Sequence, residues 1–281
     1  MSLPTMLLDG LMTSGSTRTV DIAKYGPWAV IAGGSEGVGA EFAAALAEDG
    51  FNLVLIARKP DPLEQTADRC RQLGAEVRTL ALDLLRADAT SLIAEATSDV
   101  EVGLFVYNAG ASTCNERFLD AELSEFSKVI DLNTTRMLEL TQHFGRRMVS
   151  MKRGGIILVG SLSGYMGAER HSVYAGVKAF SRVFAESLWL ELRDDNVDVL
   201  ELVLGVTRTP AMQRAGLNFD VPGMIINDPA DVAREGLRHL ADGPVCVAGG
   251  NAAQAARSSG PDRAAVVLGS HEAIKRLTGR A

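Results

Sequence analysis

Tyr174 and Lys178 stand four residues apart. On a helix that spacing puts both side chains on one face, so a phenol and an ammonium share a site. A phenol of ordinary pKa, about 10, exchanges protons poorly at neutral pH. A fixed cation beside it favours the phenolate and brings it towards the working range of an acid–base catalyst. The same spacing also describes a plain amphipathic helix, with the tyrosine half-buried and the lysine reaching for water. Ser161 lies 13 residues before Tyr174, just past the apolar run Ile156 to Val159. A hydroxyl at the carboxyl end of a central strand opens onto the crevice where doubly wound sheets take their ligands.

A second group of residues is suited to phosphate. The run Ala32-Gly33-Gly34-Ser35-Glu36-Gly37-Val38-Gly39 follows an apolar stretch and precedes a helical pattern. Gly33 permits a sharp turn, Gly37 lets a pyrophosphate approach the backbone, and Gly39 lets a helix lie close to a sheet. The helix N-terminus adds unpaired N–H groups and a positive dipole end. Plain turns use glycine too, so the loop gains weight from its place after a first strand. About 20 residues further on, where a dinucleotide's adenosine ribose is read, an acidic residue would favour NAD. The chain instead has Arg58 and Lys59, a planar donor fork and a point charge suited to a 2′-phosphate. Glu36 pulls the other way by placing negative charge nearby. The expectation is NADP(H) in preference to NAD(H), with NAD(H) open. The alternative for Arg58 and Lys59 is solvated charge that ends a strand.

Elements that would position these groups are legible along the chain. Short apolar runs recur at Trp28 to Ala32, Leu53 to Ala57, Val77 to Leu82, Leu104 to Tyr107, Ile156 to Val159, Val197 to Leu204 and Val245 to Ala248. Such continuous runs read as strands buried on both faces of a parallel sheet. Helical spacing separates them, as in Glu41 to Ala47, Leu63 to Leu73, Phe126 to Met148 and Phe180 to Leu192. The pattern predicts an α/β fold of Rossmann type, a doubly wound parallel sheet with helices on both faces, in a single domain over 26–250. Residues 1–25 form an N-terminal extension in which Leu3, Met6, Leu7, Leu8 and Leu11 suggest a short amphipathic helix. Residues 251–281 form a C-terminal extension.

The 281 residues carry 28 basic and 35 acidic side chains, a formal charge of −7. That balance argues against nucleic acid as a partner. No apolar run reaches the roughly 18 residues of a membrane span, and no leader opens the chain, so a cytoplasmic protein is expected. Cys70, Cys114 and Cys246 are far apart and odd in number. His143, His171, His239 and His271 show no ligand spacing with them, and no metal site is expected.

The glycine loop, taken with Ser161, Tyr174 and Lys178 in this order, resembles the short-chain dehydrogenase/reductase family in its simple branch, over residues 27–250. Asp83-Leu84 matches the pair that contacts adenine in the family, and Asn108-Ala109-Gly110 matches the end of its fourth strand. Asn133 matches its active-site asparagine. Gly205, Thr207 and Thr209 resemble the turn beside the nicotinamide. Three positions depart from the pattern: Ala32 stands for a threonine, Tyr107 for an asparagine and Leu204 for a proline.

The resemblance implies that Tyr174 is the acid in carbonyl reduction and the base in alcohol oxidation. Lys178 then tunes the phenol and binds the nicotinamide ribose, Ser161 donates to the substrate oxygen, and Asn133 orders a water beside Lys178. After Thr209 the family carries a lid over the substrate. Here Met212, Leu217, Phe219, Val221, Met224 and Ile225 would make it apolar, with Ser163, Tyr165 and Met166 adding to the pocket. A hydrophobic carbonyl or alcohol is the expected partner: steroid-like, acyl or aromatic. Alternatives are a catalytically silent cofactor-binding sensor and a sugar-nucleotide epimerase. A homodimer or homotetramer is also expected from the resemblance.

Overall fold

Seven strands form where the seven apolar runs lie: β1 (Trp28–Ala32), β2 (Asn52–Ala57), β3 (Val77–Ala81), β4 (Val102–Tyr107), β5 (Gly154–Ser161), β6 (Val197–Leu204) and β7 (Val245–Val247). The computed structural model describes residues 19–278, with side chains to residue 272. The strands make one parallel sheet in the order β3-β2-β1-β4-β5-β6-β7. Every residue of β1 and β4 is buried, whereas edge strands β3 and β7 are only partly covered. This is why the central runs carry no alternation: both faces meet helices. The N-terminal apolar positions from Leu3 to Leu11 lie outside the described residues.

The connecting helices are α1 (Ile22–Tyr25), α2 (Gly37–Glu48), α3 (Pro60–Gln72), α4 (Ala89–Ala96), α5 (Leu123–Ile130), α6 (Arg136–Met151), α7 (Ser172–Leu192), α8 (Pro210–Arg214), α9 (Pro229–Arg238), α10 (Ala252–Ser258) and α11 (Arg263–Thr278). On one face of the sheet Phe42 and Leu46 of α2, Leu63 of α3 and Val232 and Leu237 of α9 form a core. On the other, Met137, Leu140, Phe144 and Met148 of α6 meet Ala185 of α7. Each of the larger of these side chains contributes on the order of 1.5–3 kcal/mol by leaving water.

The stretch from Phe126 to Met148 is not one regular helix. A π-helical turn, Asp131–Thr135, joins α5 to α6. One widened turn barely shifts the apolar period, so sequence spacing passes over it. The order of strands reverses at β1, which pairs with β2 on one side and β4 on the other. Connections from the two strands leave in opposite directions there, and a crevice opens at their carboxyl ends. The C-terminal helices fold back on the domain: Arg263 of α11 donates through Nη2 to the carbonyl of Tyr165 at 3.0 Å. Met166 and residues of both helices, including Gln254, Arg257 and Val266, line a groove of about 490 Å³.

Candidate active site

The glycine loop closes where β1 turns into α2. Gly33 and Gly37 have φ of +86° and +56°, in the left-handed region that favours glycine. A Cβ at Gly39 would collide with the Gly33 carbonyl and stand 2.6 Å from Asn108 Nδ2. Asn108 ties the crevice shut from β4. Its N–H donates to the Ala32 carbonyl and its Nδ2 to the Gly33 carbonyl, both at 2.9 Å. The hydroxyl missing at Ala32 is therefore not needed to join loop and strand. A Cβ at Gly33 would lie 2.8 Å from the Ala109 nitrogen, and one at Gly37 would lie 3.0 Å from Thr209. The bare backbone at Gly33 and Gly37 is a cradle that a Cβ would fill, at a helix N-terminus suited to a pyrophosphate.

Other expected cofactor residues divide by burial. Val38 and Leu84 put their side chains into the cores, and the Leu84 carbonyl accepts from Arg136 Nε at 2.8 Å. Asp83 caps the Leu85 N–H at 3.0 Å. The Ser35 carbonyl accepts from Thr66 at 3.0 Å. Arg58 and Lys59 are exposed where β2 ends. Glu36, whose charge opposes theirs, is gripped by both arms of Arg214 from α8, one at 2.9 Å.

Ser161 is the last residue of β5, and its Oγ accepts from the Ser163 N–H at 3.1 Å, opening a 3₁₀ turn over Leu162–Tyr165. Tyr174 sits in the first turn of α7 and Lys178 one turn on. Lys178 is 8% exposed, lies 5.8 Å from the Tyr174 ring centroid and donates to the Val159 carbonyl at 2.9 Å. Asn133 lies in the π-helical turn, with its Nδ2 donating to Ala111 at 3.0 Å and to Val129 at 2.9 Å. Its Oδ1 is buried and accepts no hydrogen bond among the described residues. A Cβ at Gly110 would stand 2.7 Å from that oxygen and 3.0 Å from Lys178 Nζ, so both converge on one point. Tyr107 anchors the π-helical turn, donating from its hydroxyl to the Leu132 carbonyl at 2.5 Å. Burial pushes the Tyr107 phenol up, so it stays a donor.

Beyond β6, Gly205 runs against Asn251, a residue 1% exposed that donates to Asn227 Oδ1 at 2.9 Å and to the Ala248 carbonyl at 2.8 Å. Thr207 is buried, bonds the Gly205 carbonyl at 3.2 Å and bridges to Asn227. Leu204 extends β6 into register with Ser161, where the family's proline is absent. Thr209 caps α8 by accepting from Met212 N–H at 3.3 Å. Met212 and Ile225 are 42% and 47% exposed, Leu217 is half-buried, and the Phe219 ring carries the Arg208 guanidinium at 4.6 Å. The Tyr165 ring carries that of Arg182 at 4.8 Å.

Sequence reading missed Asn227, Asn251, Arg214 and Glu201, none of which has a local signature. It also related no histidine to a cysteine, yet the fold brings Glu235, His239 and Cys246 together with donor atoms within 4.8 Å. Two of the three are already engaged: Glu235 accepts from Gly249 N–H at 2.9 Å and His239 meets Asp242 at 2.7 Å. Burial pushes the Cys246 thiol up to about 11.

A short chain dehydrogenase family model matches residues 27–218. A very-long-chain 3-oxoacyl-CoA reductase of Neurospora crassa is 33% identical over 214 residues, which are 74% of this chain and 64% of that protein. The chain thus spans less than two thirds of that reductase. A 7beta-hydroxysteroid dehydrogenase of Clostridium sardiniense is 29% identical over 77% of this chain and 83% of that one. Among solved structures, a short-chain dehydrogenase from Sphingobium yanoikuyae in complex with NADPH aligns with a TM-score of 0.72. It is 26% identical, over 91% of this chain and 96% of that one. A 7beta-hydroxysteroid dehydrogenase structure, at 24% identity and TM-score 0.81 over 88% of this chain and 97% of that one, shares the fold.

Proposed function

The chain belongs to the short-chain dehydrogenase family, and from that premise we propose that it moves hydride between NADP(H) and a hydrophobic carbonyl or secondary alcohol. The nicotinamide supplies the hydride when bound. The observation that carries the reading is the setting of Lys178. Its ammonium donates one proton to the Val159 carbonyl and shares the space beside Gly110 with the Asn133 oxygen, which has no partner among the described residues, one turn from the Tyr174 phenol.

In reduction, the Tyr174 hydroxyl gives its proton to the substrate oxygen; in oxidation, the phenolate takes it back. The Lys178 ammonium, one helical turn on, stabilises the negative charge that forms on the Tyr174 oxygen. Ser161 donates to the same substrate oxygen, where negative charge grows in the transition state. Asn133 Oδ1, a buried acceptor beside the ammonium, is placed to order a water through which the proton is returned from solvent.

The glycine cradle supports a dinucleotide and the exposed Arg58 and Lys59 support NADP(H), while the Arg214 guanidinium offsets the Glu36 charge that would oppose a 2′-phosphate. Half-exposed Met212 and Ile225 support an apolar substrate, as do the relatives named for an oxoacyl thioester and a steroid.

The test is fluorescence titration with NADPH, followed by turnover of steroid-like, acyl and aromatic ketones. Tyr174→Phe is expected to bind NADPH as the wild type does and to lose turnover by about 100-fold or more. Unimpaired turnover in that variant overturns the assignment. NADPH binding with no ketone reduced by the wild type would make the chain a cofactor-binding sensor.

A further inference from the structure

Strands alternate their side chains between faces, and Glu201 of β6 shares a face with Val199, which packs in the core that includes Ala185 of α7. A glutamate there is out of place. Its side chain is 1% exposed, and neither carboxylate oxygen accepts a hydrogen bond among the described residues. Gly160 on the neighbouring strand provides the room, since a Cβ there would collide with Oε1 of Glu201. Burying an unpartnered carboxylate costs several kcal/mol, so its field is large wherever it falls.

Gly160 meets the Glu201 carboxylate, and the carbonyl of the preceding residue, Val159, takes the Lys178 ammonium at 2.9 Å, so anion and cation flank one peptide. The other charged or titratable groups that act on Glu201 among the described residues are Arg182 and Glu186 of α7, with the Ser181 hydroxyl, and Tyr165 of the 3₁₀ turn. Arg182 is already engaged, stacked on Tyr165 and bonded to Glu186 at 3.1 Å. Lys178 has one proton on a neutral carbonyl and no carboxylate of its own among the described residues. The field of Glu201 therefore acts on the cation that tunes the phenol.

We propose that Glu201 is a positioning residue of the reaction: its sealed carboxylate sets how much of the Lys178 ammonium's pull reaches the Tyr174 phenol. When Glu201 is ionised it offsets part of that pull and keeps Tyr174 a proton donor to higher pH. With Glu201 neutral, the full ammonium field acts and the phenol ionises sooner. The proposal rests on the hydride-transfer reading for its purpose, but its test needs no substrate.

The chain has four tyrosines. Burial raises Tyr25, Tyr107 and Tyr165, the first with help from Asp198. A pH titration of phenolate absorbance, with the matching Tyr174→Phe protein as baseline, isolates Tyr174. Glu201→Gln is expected to lower its midpoint by about half a pH unit or more, and Glu201→Asp to restore it. NADPH affinity, read by fluorescence on each variant, stays unchanged. Equal midpoints in wild type and Glu201→Gln overturn the proposal. So does loss of the folded circular-dichroism signal in both variants, which would make Glu201 a structural group. Absence of ketone turnover in the wild type would sink the proposed function while leaving this titration intact.

Discussion

Arg58 and Lys59 follow β2 without a carboxylate partner among the described residues, while Glu36 of the glycine loop is held by Arg214. A planar guanidinium gains a charge-assisted bond to a 2′-phosphate that it cannot make to a bare ribose. Such a bond contributes about 1.5–3 kcal/mol. Arg58→Ala is therefore expected to weaken NADPH binding by about tenfold or more and to leave NADH binding nearly unchanged. Equal losses for the two cofactors would show that Arg58 does not read the phosphate. The departures at Ala32 and Tyr107 also resolve at this scale. Asn108 supplies the tie that Ala32 lacks, and Tyr107 puts its hydroxyl to a different use.

That use concerns an element. The π-helical turn between α5 and α6 lets the Asn133 amide satisfy Val129 and Ala111 while its oxygen faces Lys178. Single widened turns of this kind recur at functional sites because they aim one side chain without ending the helix. Tyr107 pins the turn to the central sheet through the Leu132 carbonyl. Tyr107→Phe leaves that carbonyl without its donor, at an expected cost of about 1–2 kcal/mol in urea unfolding. Turnover should fall as well, because the turn that aims Asn133 is no longer held. A variant as stable and as active as wild type would mean that the turn holds itself. The 3₁₀ turn after β5 and the cap of α8 do comparable work for Ser161 and for the start of the lid.

Over the whole molecule, Glu201 charges the fold for its place in the core. Burial, its largest influence, pushes the carboxyl from 4.5 up to about 7, against the opposing pull of Lys178. Between those values the unfolded chain has released the proton and the folded chain still holds it, so stability falls as the pH rises through this window. Above about pH 7 the loss is complete, about 3 kcal/mol by linkage. Urea midpoints measured at pH 5 and pH 8 should therefore drop less in Glu201→Gln than in the wild type. Parallel drops in the two proteins would place the ionisation elsewhere. Stability given up at one buried position is what a carboxylate kept for its field, and not for packing, predicts.

Strand runs, the glycine loop and the Ser161, Tyr174 and Lys178 set were legible because each is a local pattern. Burial on two faces, a turn that needs positive φ and a helical i to i+4 spacing all leave their mark on neighbouring residues. The tertiary structure decided everything that depends on distant partners. Arg214 meets Glu36 across 178 residues, and Asn133 shares a point with Lys178 beside Gly110. Asn251 braces the Gly205 turn through Asn227, and Glu201 lies sealed against α7. A polar side chain carries no local sign of being buried, because its burial is set by what the rest of the chain packs over it. The chain's chemistry was therefore readable in its sequence, while the fields and braces that tune that chemistry appear only once the sheet is wound.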